Sequence, residues 1–158
     1  MGEGRLPRLK TKFLNGLRMY VLDASVIAKW FLPEEDSTLA VEFKNGFAQG
    51  AYEIACPDLL LYEFTNLLRY NPAITDKESE EMLRNLFDLQ IYLVVPQLNH
   101  LIEAERLARE HDISVYDAIY LTVAKELGFT LVTADKKLYE RVNRLNFVRL
   151  LGGGDGGD

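Results

Sequence analysis

The sequence predicts an α/β fold: a three-layer α/β/α sandwich whose central, mainly parallel sheet has about five strands. Three observations carry this expectation. From Met19 to about residue 150, short β-rich apolar runs alternate with longer helical patterns, which a parallel sheet covered on both faces requires. At 158 residues and 48% hydrophobic, the chain can bury one ordinary core but not two. Pro33, Pro57, Pro72 and Pro96 fall at the joints of this alternation, and Gly128 is placed to end a helix.

Taken in order, the run MYVLD predicts a strand over 19–23, followed by helices over 25–32 and 37–49. A strand at 53–56 stops at Pro57, and LLLYEFTNLL then lies in a helix over 58–70. After Pro72 come a helix at 75–90 and a strand at 92–95, closed by Pro96. Helices at 98–111 and 115–127, a strand at 129–133, a helix at 135–144 and a strand at 147–149 complete the domain. Residues 19–150 contain neither an internal repeat nor a linker. Residues 1–18 differ in kind, carrying net charge +4 while the remainder carries −10. That segment is an upstream extension, an arm ordered through Phe13, Leu14 and Leu17, or a non-native start. The closing GGGDGGD, within 151–158, is expected to be disordered, because no strand or helix frames it for phosphate binding.

A net charge of −6 with a pI near 5.0 argues against broad charge-driven adhesion to nucleic acid or anionic membrane. A nuclease is still allowed, since an acidic metal site itself lowers the charge. The single Cys56 permits no intramolecular disulfide and reads as a packed thiol in a reducing interior. No apolar run approaches the ~18 residues of a membrane span, and the basic start lacks a secretory apolar core. A cytoplasmic location is the expectation.

Four acidic residues stand in apolar surroundings: Asp23 ends MYVLD, Glu63 lies within LLLYEFTNLL, Asp117 opens YDAIYLTVAKELG, and Asp135 follows FTLVTAD. Carboxylates leaving water need a cation, a donor or a proton. Asp23 and Asp135 fall at the carboxyl ends of strands, where open α/β sheets bind ligands. At 100° per residue, Asp117 sits between Leu121 and Ala124 on the apolar side of its helix, with Thr122, Lys125 and Glu126 on the wet side. Glu63 falls beside Leu60 and Leu67 at the edge of its apolar stripe.

Each acid also has a plainer reading. Asp23 could end a strand, with Ser25 as an ordinary cap; Asp117 could serve a capping box with Ser114; Asp135 could start a helix. Glu63 has no capping duty, but could reach water or pair with Arg69. Jointly, the carboxylates are better explained by a shared divalent cation.

His100 and His111 lack zinc-ligand spacing and are expected on solvent-facing helix surfaces. There is no glycine-rich phosphate loop, no nucleophile elbow, and no nucleophile with a His and acid partner. Trp30, Phe31 and the tyrosines read as core or interface aromatics. Lys136, Lys137, Arg141 and Arg144 form a basic patch beside Asp135, either a solvated helix face or a phosphate-steering rim.

The blocks YVLDASVIAKWF, LLLYEFTNLL, SVYDAIYLTVAKELG and TLVTADKKLYERV, in this order and spacing, resemble a PIN domain, and within that family the VapC-type toxins. The resemblance covers about residues 19–150. It implies a compact α/β/α sandwich with an acidic pocket at the carboxyl edge, and an Mg²⁺- or Mn²⁺-dependent endoribonuclease. Such proteins are commonly homodimeric and inhibited by a small antitoxin. On this match Asp23, Glu63, Asp117 and Asp135 take the metal-binding and catalytic positions, and Ser25, Asn66 and Thr133 the supporting polar ones.

An all-oxygen ligand set suits Mg²⁺ or Mn²⁺, as one or two ions. The expected reaction is hydrolysis of an RNA phosphodiester with no role for the 2′-hydroxyl, and at least one raised, coupled carboxyl pKa in the metal-free site. By family analogy the substrate is a structured RNA with an exposed loop, such as tRNA or rRNA. The apolar-rich helices at 34–50 and 75–92 are the expected sources of dimer and antitoxin contacts. Two rival readings stay open: a PIN-type nuclease of RNA maturation or decay without an antitoxin, and a non-catalytic module whose acids cap helices or bind a partner's arginine.

Overall fold

The computed structural model describes residues 18–32 and 37–152. The expectations for residues 1–17 and for the tail beyond Gly152 lie outside the described residues.

Five strands are described: β1 (Arg18–Leu22), β2 (Tyr52–Pro57), β3 (Tyr92–Val94), β4 (Thr130–Thr133) and β5 (Val148–Leu150). The helices are α1 (Ala24–Ala28), α2 (Ser37–Ala48), α3 (Leu59–Tyr70), α4 (Asp76–Asp88), α5 (Leu98–His111), α6 (Val115–Leu127) and α7 (Lys136–Val142). Every strand pairing is parallel, in the order β3-β2-β1-β4-β5. The chain winds outward from β1 through β2 to β3, then returns to lay β4 on the other side of β1. The carboxyl edge between β1 and β4 is therefore the switch point, where helices leave to opposite faces and where open α/β sheets bind ligands.

The period-2 alternation of β1 assigns the two core layers. Met19 and Val21 pack with Ala55, Leu131 and the buried faces of α5, α6 and α7. Tyr20 and Leu22 face the other way, onto Ile54, Cys56, Val132 and the residues of α1, α3 and α4, with Ala40 of α2. Helix α6 is the most enclosed, with every residue from Ala118 to Ala124 buried. That burial corrects one sequence expectation. Thr122, placed on the wet side by its angle, is 4% exposed. Its hydroxyl donates to Ala118 O of the preceding turn at 2.8 Å, which removes most of the penalty of burying it.

Local signals set the boundaries as physical chemistry requires. Thr75 and Glu78 close a capping box at the start of α4. Gly128 ends α6 at φ 70, a left-handed conformation in which a Cβ is strained. Gly128→Ala should lower stability by about 1 kcal/mol, read as a shift in the urea midpoint at unchanged slope. Cys56 is fully buried, donates its thiol to Leu22 O at 3.2 Å, and has its pKa pushed up to about 12 by burial. It is a packing group and an inert one.

The two histidines depart from the solvent-facing placement. His100 is 6% exposed, its Nδ1 accepting from Gln97 N–H at 2.8 Å and its Nε2 paired with Glu126 of α6. It caps α5 and ties it to α6. His111 is half-buried at the end of α5. Among the described residues no helix is long and apolar enough to cross a membrane.

Candidate active site

Asp23 directly follows β1 and continues the parity of Met19 and Val21, which turns it toward the α6 face. Its N–H donates to Val132 O at 3.3 Å, so the end of β1 is held against β4. The side chain is the N-cap of α1, accepting on Oδ1 from Ser25 N–H at 3.1 Å, from Val26 N–H at 3.3 Å and from the Ser25 hydroxyl. The cap reading of Asp23 is thus correct. Burial nevertheless wins over these donors and raises its pKa from 3.8 to about 6. The hydroxyls of Ser25 and Thr133 pull the other way, and the negative charge of Asp117 adds to the rise.

Ser25 and Thr133 knit the switch point together. Ser25 Oγ donates to Asp23 while accepting from Ala134 N–H at 3.0 Å, which ties α1 to the end of β4. Thr133 is fully buried and accepts from Asp135 N–H at 3.0 Å, setting the entry to α7. Asn66 is exposed on α3, one turn beyond Glu63.

Asp117 lies in the first turn of α6, its N–H capped by Ser114 Oγ at 3.1 Å. It is half-buried, with its pKa raised by burial first and by Asp135 as well, against the lowering effect of Ser114. Glu63, on α3, is also half-buried and raised by burial, against the lowering effect of the Tyr120 hydroxyl and with the charge of Asp117 adding to the rise. Its Oε1 is buried with no hydrogen-bond partner. Arg69, the alternative partner considered for it, lies over the Tyr70 ring at 5.2 Å. Asp135 is the N-cap of α7, accepting from Leu138 N–H at 3.1 Å, and unlike the other three it is exposed.

Asp117 is the hub, since the charges of Asp23, Glu63 and Asp135 are each felt with its own. Asp23, Asp117 and Asp135 all sit at helix N-termini, whose partial positive charge offsets some of the mutual repulsion. Among the described residues, no three His, Cys, Asp or Glu side chains already stand at metal-ligating spacing. The acids are therefore grouped and electrostatically coupled, but not drawn into direct contact. Like charges would hold them apart in this way until a cation or protons intervened.

The donor set fits a hard divalent cation: oxygen ligands only, three of them with raised pKa and one with an orphaned buried oxygen. A residue outside the sequence expectation joins this group. Tyr120 reads as a core aromatic in the sequence, yet its buried hydroxyl lies beside Glu63 and acts on it as a hydrogen-bond donor, without a bond of ordinary length and angle. Its spacing of three from Asp117 puts it on the same helix face, and that is the signal from which it could have been found.

Of the basic patch, Lys136 and Lys137 are exposed at the start of α7, whereas Arg141 pairs with Asp112 at 2.6 Å on an exposed surface.

The family model for the PIN domain matches residues 20–145. The chain belongs to the PIN-domain family. Within it, this PIN domain is similar to Ribonuclease VapC3 of Pyrobaculum aerophilum, 34% identical over 125 residues that span 77% of this chain and 92% of that protein. That likeness places it with the VapC-type proteins. Among solved structures, the PIN domain resembles a toxin-antitoxin complex from Klebsiella pneumoniae, with TM-score 0.59 and 15% identity over 82% of this chain and 95% of that one. It also resembles Mycobacterium tuberculosis VapC20, described as a sarcin-ricin loop cleaving toxin, with TM-score 0.60 and 15% identity over 77% of this chain and 93% of that one. At these identities the two structures establish the shared fold.

Proposed function

We propose that this PIN domain is a divalent-metal-dependent endoribonuclease and the toxin of a toxin–antitoxin pair. The observation that carries the reading is the grouping of Asp23, Glu63 and Asp135 around Asp117 at the switch point of a parallel sheet. The 34% identical ribonuclease supports the reaction class.

Asp23, Asp117 and Asp135 would hold Mg²⁺ or Mn²⁺, with Glu63 holding a second ion or orienting the attacking water. One or two such ions, when bound, supply charge neutralisation at the scissile phosphate and activation of water. Ser25 and Thr133 fix the rotamer of Asp23, so that its carboxylate is presented without further ordering cost. Lys136 and Lys137, exposed beside Asp135, steer the RNA backbone toward an otherwise acidic crevice; Arg141 contributes less, because Asp112 already engages it. Hydrolysis on this plan leaves a 5′-phosphate and a 3′-hydroxyl.

The substrate is a structured RNA with an exposed loop, of the tRNA or rRNA class, in line with the description of the M. tuberculosis relative. The partners are a small antitoxin and a second copy of this chain. Support for an apolar contact on α4 comes from Phe87, 61% exposed, beside a groove of about 270 Å³ lined by Leu60, Leu61, Leu86, Gln90, Ile91 and Leu93. The Klebsiella relative, a toxin-antitoxin complex, is consistent with this.

Labelled total RNA incubated with Mg²⁺, Mn²⁺ or EDTA tests the reading. Cutting is expected only with metal, to fragments bearing 5′-phosphates. Fragments ending in 2′,3′-cyclic phosphate, or equal cutting in EDTA, would overturn it.

A further inference from the structure

Tyr120 is 1% exposed on α6, one turn past Asp117, and its hydroxyl has no hydrogen-bond partner. A buried hydroxyl without an acceptor costs about 1–3 kcal/mol. Phenylalanine would fill the same space without that cost. Opposite it, Glu63 Oε1 is buried and equally unpartnered. The two side chains are near enough for each to act on the ionisation of the other. An ordinary phenol keeps its proton at neutral pH, so the hydroxyl is available as a donor. Donor and acceptor thus stand side by side, close enough for the hydroxyl to act on Glu63 as a hydrogen-bond donor but without a bond of ordinary length and angle.

We propose that Tyr120 is a positioning residue for Glu63: its O–H donates to one carboxylate oxygen and holds the group so that the other oxygen is presented to a divalent cation shared with Asp117. The inference rests on the metal-site reading above. Glutamate has three rotatable bonds, and fixing them opposes cation binding by up to ~2 kcal/mol of side-chain entropy. A hydrogen bond from the rigid, enclosed α6 meets that cost. Partners that orient a ligand in this way typically contribute about 10–100-fold to metal affinity. Tyr120 is set one helical turn from Asp117, so a single rigid helix positions both the hub carboxylate and the donor that aims Glu63.

The test is calorimetric Mn²⁺ titration of the full chain as wild type, Tyr120→Phe, Glu63→Gln and the double variant, with thermal unfolding in EDTA alongside. Tyr120→Phe should unfold in EDTA no earlier than wild type, and should bind Mn²⁺ about tenfold more weakly. The double variant should bind no more weakly than Glu63→Gln alone, because the hydroxyl acts through that carboxylate. Wild-type Mn²⁺ affinity in Tyr120→Phe, additive losses in the double variant, or a Tyr120→Phe protein destabilised in EDTA would each overturn the inference. If Glu63→Gln weakens binding and Tyr120→Phe does not, only this inference falls. If wild type binds no Mn²⁺, the metal-site reading falls with it.

Discussion

Asp23→Asn should abolish metal-dependent RNA cleavage while leaving the metal-free fold at least as stable as wild type. Asparagine keeps the shape of the side chain and an oxygen that can accept from Ser25 N–H and Val26 N–H, so the cap of α1 survives. What it removes is a negative charge that burial resists, as the rise of the Asp23 pKa to about 6 records. At neutral pH that charge opposes folding, and a shift of this size corresponds to roughly 3 kcal/mol. Well-placed electrostatic groups contribute about 10²–10³-fold each to reactions of this kind. A loss of at least about 100-fold in cleavage, beside an unchanged or raised urea midpoint in EDTA, is therefore the expected pairing. Loss of both activity and stability would mark Asp23 as a structural cap alone, and wild-type cleavage by the variant would remove it from the site.

Metal should invert the pH dependence of stability. The Asp23 carboxyl is raised from 3.8 to about 6 in the folded protein, so the fold holds that proton more tightly than the unfolded chain does. Its stabilising contribution is complete below about pH 4 and is lost as the pH rises through about 6, a fall of roughly 3 kcal/mol. Glu63 and Asp117 are raised as well and act with the same sign. Glu103 runs the other way: hydrogen bonds from Arg106 and then Lys125 lower its pKa from 4.5 to about 2, so its contribution fades only as the pH falls through that lower range. It is a surface network, worth little. In EDTA, then, stability should decline from pH 4.5 to 7.5. With saturating Mn²⁺ it should rise over the same interval, because binding to the ionised carboxylates is folding free energy. Urea titrations at the two pH values read this directly. A Mn²⁺-independent slope would mean that the carboxylates do not share a cation.

The alternation of strand and helix, and the carboxylates that end strands, were legible in the sequence because both depend on local pattern. Asp23 and Asp135 needed only the ends of β1 and β4, and Asp117 only the angular order of α6. The order β3-β2-β1-β4-β5 was not legible, since no short-range signal states which strand returns beside β1. Nor was the burial of His100, whose partner Glu126 lies 26 residues away on another helix. Thr122 was misplaced for a related reason: α6 is enclosed by the sheet and α5, and one polar residue can be buried when its own helix supplies the acceptor. The exposure of Asp135 follows from its position past the strand, as the N-cap of α7. Tyr120 escaped notice because an orphaned hydroxyl is visible only against the three-dimensional position of Glu63.

The central claim is that one acidic site binds the cation, and anomalous diffraction from crystals soaked in Mn²⁺ addresses it most directly. One or two peaks are expected at the carboxyl edge between β1 and β4, within coordination distance of Asp23, Asp117 and Asp135, with Glu63 oriented toward them and absent from an Asp117→Asn crystal. A peak elsewhere on the protein, or none from crystals whose dissolved protein still cleaves RNA with Mn²⁺, would contradict the account.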